Sequence, residues 1–220
     1  VNLSTILVGG AAEGDRRFVR DVLSGADWHV IETHEEASLL VQAQRHRPDL
    51  ILLDERLGAG IANAVGAVRA AGRPARSTPI LIFTQAASAG EDFFLIGFDG
   101  RIAKPATAEA LVAALALWRP VGELTDAHRL IETFGEAAIV PLIARFRRQL
   151  TDALNGLGTT LSPDELHRIA GVAGTLGFGR ISASWDRLSQ GDAVSAPDAR
   201  REARLTLAQI DRDPRFAVSQ

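Results

Sequence analysis

Apolar positions change their spacing partway along this chain. Through residues 1–118, short apolar runs alternate with longer amphipathic stretches. Leu3–Val8 predicts a strand. Asp15–Ala26 predicts a helix, with Phe18, Val19, Val22 and Leu23 at helical spacing. Trp28–Thr33 reads as a second strand and Glu35–His46 as a second helix. Asp49–Asp54, DLILLD, is apolar between its two acids, which suits a central parallel strand buried on both faces. Ile61–Ala71 reads as helix, Pro79–Phe83 as a fourth strand, Glu91–Ile96 as a short helix and Phe98–Ile102 as a fifth strand. Thr107–Trp118 closes as a helix with Leu111, Leu115 and Trp118 on one stripe. Five βα units predict a doubly wound α/β fold around a five-stranded parallel sheet.

Pro and Gly in Arg119–Thr125, RPVGELT, break the last of these helices and divide the chain into domains 1–119 and 120–220. Beyond that point the apolar stripes recur every three to four residues. Asp126–Phe134 reads as a short helix interrupted by Gly135. The next helix carries Leu142, Ile143, Phe146, Leu150, Ala153, Leu154 and Leu157, and Pro141 either marks its first turn or kinks it. Asn155–Gly158, NGLG, ends it with C-cap chemistry. Ser162 then opens a helix as N-cap, with Pro163 at the first helical position and Glu165 completing a capping box. Ile181–Ser189 follows, with Ile181, Trp185 and Leu188 on one face. Pro197 starts the last helix, striped by Ala203, Leu207 and Ile210. Four main amphipathic helices with short loops predict an all-α antiparallel four-helix bundle.

The Ser162 helix is where chemistry concentrates. Wound at 100° per residue, it places Leu166, Ile169, Ala173 and Leu176 on one side and His167, Gly171 and Gly174 on the other. The apolar side faces a core, so the histidine faces water. Each glycine weakens a helix interior by roughly 1 kcal/mol relative to Ala. Two readings follow. The helix packs closely on a neighbour, or the glycines leave room for a group that approaches the imidazole.

Composition narrows the classes. The 220 residues carry a net charge of −3, with 12 basic and 14 acidic residues in 1–120 and 12 and 13 in 121–220. Neither half has the basic excess of a nucleic-acid binder. No cysteine is present, hence no disulfide framework or thiolate metal site. No apolar run reaches the roughly 18–20 residues that span a bilayer, and no signal peptide is visible, so a cytoplasmic protein without a membrane partner is expected. The five histidines are scattered, without a ligand-spaced pair on a helix face.

In a doubly wound sheet, function sits outside the carboxyl ends of the strands. There the third strand ends at Asp54, the fourth at Thr84, and Lys104-Pro105 lies just past the fifth. Lys104 is the one lysine, beside 23 arginines. Asp after LILL, Thr after LIF and Lys-Pro after a fifth strand resemble the receiver domain of two-component response regulators, over about residues 1–118. The resemblance implies a flavodoxin-like fold, Asp54 as phospho-acceptor, Thr84 on a phosphoryl oxygen, Lys104 pairing with the phosphoryl group, and a cis Lys-Pro bond. It departs at the end of strand one. The family holds Mg²⁺ there with two adjacent acids, where this chain has Gly9 and Gly10. Mg²⁺ needs a near-octahedral shell of hard oxygens. Asp54 is then the main carboxylate left, with Glu13 or Glu55 as candidates to swing in. Arg101 stands where the family often has an aromatic switch residue. A degenerate receiver is expected, with weak or absent Mg²⁺ binding, used for docking, regulation or homodimerisation.

H-x-x-x-G-x-x-x-x-L-G, here His167, Gly171, Leu176 and Gly177, is similar to the signature of histidine phosphotransfer (HPt) domains. The family commonly has Lys or Arg where this chain has Ala170, and Arg168 on the other flank is a partial replacement. The resemblance implies a phosphorelay protein in which His167 carries a phosphoryl group between receiver aspartates. An imidazole offers a nucleophilic nitrogen near neutral pH. The partner receiver would bring Mg²⁺ and the electrophile, so the chain is a carrier and not an autonomous enzyme. Docking would use Arg168, Ala170, Gly171 and Gly174 around His167. The partners implied are a hybrid histidine kinase or its receiver domain and a downstream response regulator. The rival is an adaptor that binds such partners without carrying phosphate.

Overall fold

The structure, a computed structural model, describes residues 3–10, 12–85, 93–120, 122, 124–157 and 161–216. It divides into two compact units, Val1–Pro120 and Val121–Gln220.

In the first unit, strands β1 (Ser4–Gly9), β2 (Trp28–Thr33), β3 (Leu50–Asp54), β4 (Ile80–Gln85) and β5 (Gly100–Lys104) form one parallel sheet in the order β2-β1-β3-β4-β5. The helices are α1 (Glu13–Ser24), α2 (Leu39–His46), α3 (Ile61–Ala70), α4 (Phe93–Ile96) and α5 (Ala108–Ala116). β3 is buried at all five positions, as its unbroken apolar run requires. The order reverses direction at β1, so the strand ends of β1 and β3 border the crevice where such sheets place function.

Several boundaries differ from the sequence reading, among them these. β4 runs on through Thr84 and Gln85. α4 is described only from Phe93, so the expected start at Glu91 lies outside the described residues. β5 starts at Gly100 and not at Phe98. Phe98 is apolar and buried, yet its amide donates to the Phe93 carbonyl and so belongs to the turn after α4. The Asp99 carboxylate accepts from the Ile80 amide and pairs with Arg69, while the Asp99 amide donates to the Ile80 carbonyl at 2.8 Å just ahead of the strand. Lys104 therefore ends β5, level with Gln85.

The second unit is helical: α6 (Leu124–Phe134), α7 (Glu136–Gly156), α8 (Pro163–Thr175), α9 (Gly179–Ser189) and α10 (Ala196–Arg212). α8 packs on α9, α9 on α10, α10 on α7, and α7 on both α6 and α8. Their apolar stripes meet in one core that includes Ile143, Phe146, Leu150, Ala173, Phe178 and Trp185. Pro141 lies inside α7, where its missing N–H removes one helical bond. α7 ends at Gly156, and Gly158 lies outside the described residues. Arg147 forks onto Asp211 at 2.5 and 2.7 Å, pairing the buried carboxylate of α10 with α7. No described helix is long and apolar enough to cross a membrane.

Candidate functional site

α8 begins as its sequence dictates. The Ser162 hydroxyl accepts from the Glu165 amide, and the Glu165 carboxylate accepts from the Ser162 amide at 2.9 Å. These bonds to Ser162 hold the Glu165 carboxyl below its usual range. The opposite end is closed by Gly177, at φ 85°. The Phe178 amide donates to the Ala173 carbonyl at 2.9 Å, and the Gly177 amide to that of Gly174. This is a Schellman cap. It turns Phe178 into the core, stacked on Phe146 at 5.2 Å.

Between these caps His167 stands out in solvent, with 74% of its side chain exposed. Its Nδ1 lies 3.1 Å from Oδ1 of Asp186 on α9, and Asp186 Oδ2 accepts from the Gln190 amide side chain at 2.9 Å. An ionised carboxylate only accepts, so Nδ1 carries the hydrogen. The lone pair is then on Nε2, the nitrogen farther from the backbone.

The three glycines of this stretch separate by role. A Cβ at Gly171 would meet nothing within 4 Å. At Gly174 it would stand 3.0 Å from Ser182 Oγ, so this glycine lets α8 and α9 approach. At Gly177 it would overlap Asp126 Cβ at 2.6 Å on a backbone that L-residues rarely adopt. Close packing on a neighbour holds at Gly174, and Gly171 has the open space that the second reading requires. Ala170 is corrected. It is 2% exposed and belongs to the core, so it presents no side chain to a partner. Arg168 is exposed and lies near Glu165.

In the first unit Asp54 is 4% exposed, and both its oxygens are engaged. Oδ1 accepts from the Arg56 amide at 2.9 Å, and Oδ2 from Lys104 Nζ at 2.5 Å. Lys104 Nζ also reaches Asp15 Oδ2 at 2.8 Å and lies 4.7 Å from the centre of the Phe83 ring. The Lys104–Pro105 peptide is cis. Thr84 does not point at Asp54. Its hydroxyl donates to Glu55 Oε2, while Glu55 Oε1 accepts from the Gln85 amide at 3.1 Å. Glu13 turns away to Arg17. Glu13 and Glu55 thus each hold a partner other than Asp54, and Arg101 is exposed on β5.

Hydrogen bonding to Lys104 is the main cause that lowers the Asp15 carboxyl. Burial opposes the Lys104 ammonium, but its bonds to Asp15 and Asp54 outweigh this and raise it. The signs set a window. A lowered acid contributes stability above its ordinary value of 3.8, lost as pH falls through the lower folded value. A raised base contributes below its ordinary value of 10.5, lost as pH rises through the higher folded value. We predict that carboxyl NMR shifts of Asp15 stay constant down to its ordinary range and move only in stronger acid. Titration above that range would show the Lys104 contact to be absent in solution.

Asp15 and Asp186 were not among the residues expected from sequence. Asp15 is 89 positions from Lys104, and Asp186 is 19 from His167. The sequence does carry weak signals for both. Asp15 is an acid in a first helical turn, and Asp186 sits one turn before Gln190 on a polar face.

No protein-family model and no curated protein matches the chain. Solved structures do match its first half. The chemotaxis response regulator CheY4 of Vibrio cholerae is 24% identical, over 54% of this chain and all of the other, with a TM-score of 0.49. The receiver domain of a sensor histidine kinase from Pseudomonas aeruginosa, solved with a magnesium ion in its active-site cleft, is 25% identical over 53% of this chain and 98% of its own, at 0.48. A response regulator from Hahella chejuensis is 26% identical over 54% and 96%, at 0.46.

Proposed function

We propose that this chain is a histidine phosphotransfer protein of a bacterial two-component phosphorelay. In this reading α7–α10 form an HPt four-helix bundle, and the first unit is a degenerate receiver used for docking or regulation. The observation that carries the reading is His167: an exposed imidazole with Nδ1 held by Asp186, Nε2 outward, and Gly171 leaving open space one turn away.

The chemistry follows from those atoms. The Nε2 lone pair attacks the phosphorus of an aspartyl phosphate on a partner receiver. The Nε2–P bond forms, the acyl P–O bond breaks, and the aspartate leaves as carboxylate. The proton stays on Nδ1, where Asp186 faces the positive charge that develops on the ring. Any Mg²⁺ used in the step would sit in the partner receiver. Nothing in this scheme requires catalysis by the chain alone.

Asp186 is a positioning residue in this scheme. Asp186→Ala is expected to slow transfer by about 10- to 100-fold, and to shift the ring toward the Nε2–H tautomer in ¹⁵N NMR. Asp186→Asn, whose amide oxygen still accepts, should restore most of the rate. Unchanged tautomer and rate in Asp186→Ala would remove it from the mechanism.

Gly171→Ala separates fold from docking. It should stabilise α8 by about 1 kcal/mol, because the added methyl meets nothing inside the protein. It should also raise the concentration of phosphorylated receiver needed for half-maximal transfer. An unchanged half-saturation would place the docking surface elsewhere on the unit. The test of the function itself is transfer from a labelled receiver to His167.

A further inference from the structure

We propose that Lys104 is the resident counter-ion of the Asp15–Asp54 carboxylate pair, and that it makes the first unit refractory to both divalent cations and phosphorylation. The inference does not depend on phosphate carriage by His167.

The geometry at the end of β1 comes first. A Cβ at Gly9 would stand 2.7 Å from Leu53 Cδ2 and 3.2 Å from Leu57 Cδ2. The position is packed against the core, and a side chain there would have to displace the Leu53 methyl. At Gly10 a Cβ would stand 3.3 Å from Arg16 Cγ and 3.4 Å from Asp54 Cβ, and Arg16 Nη1 donates to the Gly10 carbonyl at 2.5 Å. The strand end is thus closed by aliphatic carbon on one side and a guanidinium on the other. The carboxylates nearest that strand end are those of Asp15 and Asp54.

The carboxylates that remain are bridged by one ammonium, which cancels half of their charge. Lys104 Nζ lies within 2.8 Å of one oxygen from α1 and one from β3, and its side chain is 14% exposed. Asp54 has no oxygen left over, since Oδ1 holds the Arg56 amide. A divalent ion would have to evict the ammonium and then share the site with it. Attack by Asp54 on a phosphoryl donor would likewise require Oδ2 to leave Lys104, with Arg56 as the other cation lining the cleft and no acid pair beside it to hold a metal. A compact ammonium suits this bridge better than a planar guanidinium. That accounts for a lysine here in a chain that elsewhere uses arginine. The bridge also ties α1, β3 and β5 together at the strand-end edge.

The experiment is Mn²⁺ titration of the full chain by EPR, with Mg²⁺ competition, on wild type, Lys104→Met, Lys104→Ala and Lys104→Met/Asp15→Asn. Circular dichroism checks that each variant is folded. Wild type should show no saturable binding at millimolar metal. Lys104→Met or the folded Lys104→Ala should gain saturable binding at least about tenfold tighter, as two released carboxylates provide hard oxygens. The double variant should lose that gain. Beryllofluoride should leave Asp54 unmodified in wild type. Saturable wild-type binding, an Asp54 adduct, folded Lys104 variants no tighter than wild type, or a double variant that keeps the gain would each overturn the proposal.

Discussion

Replacing His167 with Gln is expected to abolish uptake of phosphate from a phosphorylated receiver, by more than about 10³-fold, while Asp54→Asn leaves uptake unchanged. Glutamine keeps a polar side chain on the exposed face of α8. Its amide nitrogen, however, has its lone pair delocalised and is no nucleophile. The His167 ring is 74% exposed, so the substitution removes reactivity with little effect on packing. Asp54, by contrast, is buried under Lys104 and the Arg56 amide. The measurement is transfer from a ³²P-labelled receiver, followed by acid and base treatment of the product. An acid-labile, base-stable label present in wild type and Asp54→Asn, and absent in His167→Gln, is the expected pattern. Label lost in Asp54→Asn would show a working receiver. Wild type unlabelled by a panel of competent donors would favour a docking adaptor that carries no phosphate.

Much of this was legible in the chain, for a physical reason. Burial in one unit follows unbroken apolar runs, and in the other a 3.6-residue stripe, and both patterns are local. The caps of α8 are also local: Ser162, Pro163 and Glu165 write one end and Leu176-Gly177 the other. The exposure of His167 follows from the same periodicity. What periodicity leaves open is partnership across the fold. It cannot say that Gly171 faces open space while Gly174 meets Ser182, because Ser182 lies on another helix. Nor can it say that Thr84 turns to Glu55, or that Lys104 is held by Asp15. The β5 boundary was misplaced for a related reason. Phe98 is apolar and buried like a strand residue, yet its amide serves a turn. Where a side chain's role is fixed by residues distant in sequence, the local pattern names the residue but not its contact.

Trp185→Ala is expected to unfold the helical unit under conditions where the wild type is stable. Trp185 is fully buried at the centre of that unit's core, and its Nε1–H donates to the Ala199 carbonyl at 3.0 Å. Truncating a buried Trp costs about 3–5 kcal/mol through lost burial and the cavity left behind. The Ala199 carbonyl keeps its own helical bond within α10 and loses only its second donor. Against a domain stability of about 5–15 kcal/mol, that loss removes a large part of the margin. His167 depends on that margin, because Asp186 is held on α9 directly beside Trp185. Trp185→Phe keeps most of the volume and should fall between the two. Urea unfolding followed by ellipticity at 222 nm reads the loss of helix. Trp28 and Trp118 remain as fluorescent reporters of the α/β unit. The expected result is an early loss of helix with the Trp28 and Trp118 signal retained to higher urea. A midpoint for Trp185→Ala equal to that of wild type would mean that this core does not hold the unit together. The placement of His167 against Asp186 would then have lost its physical basis.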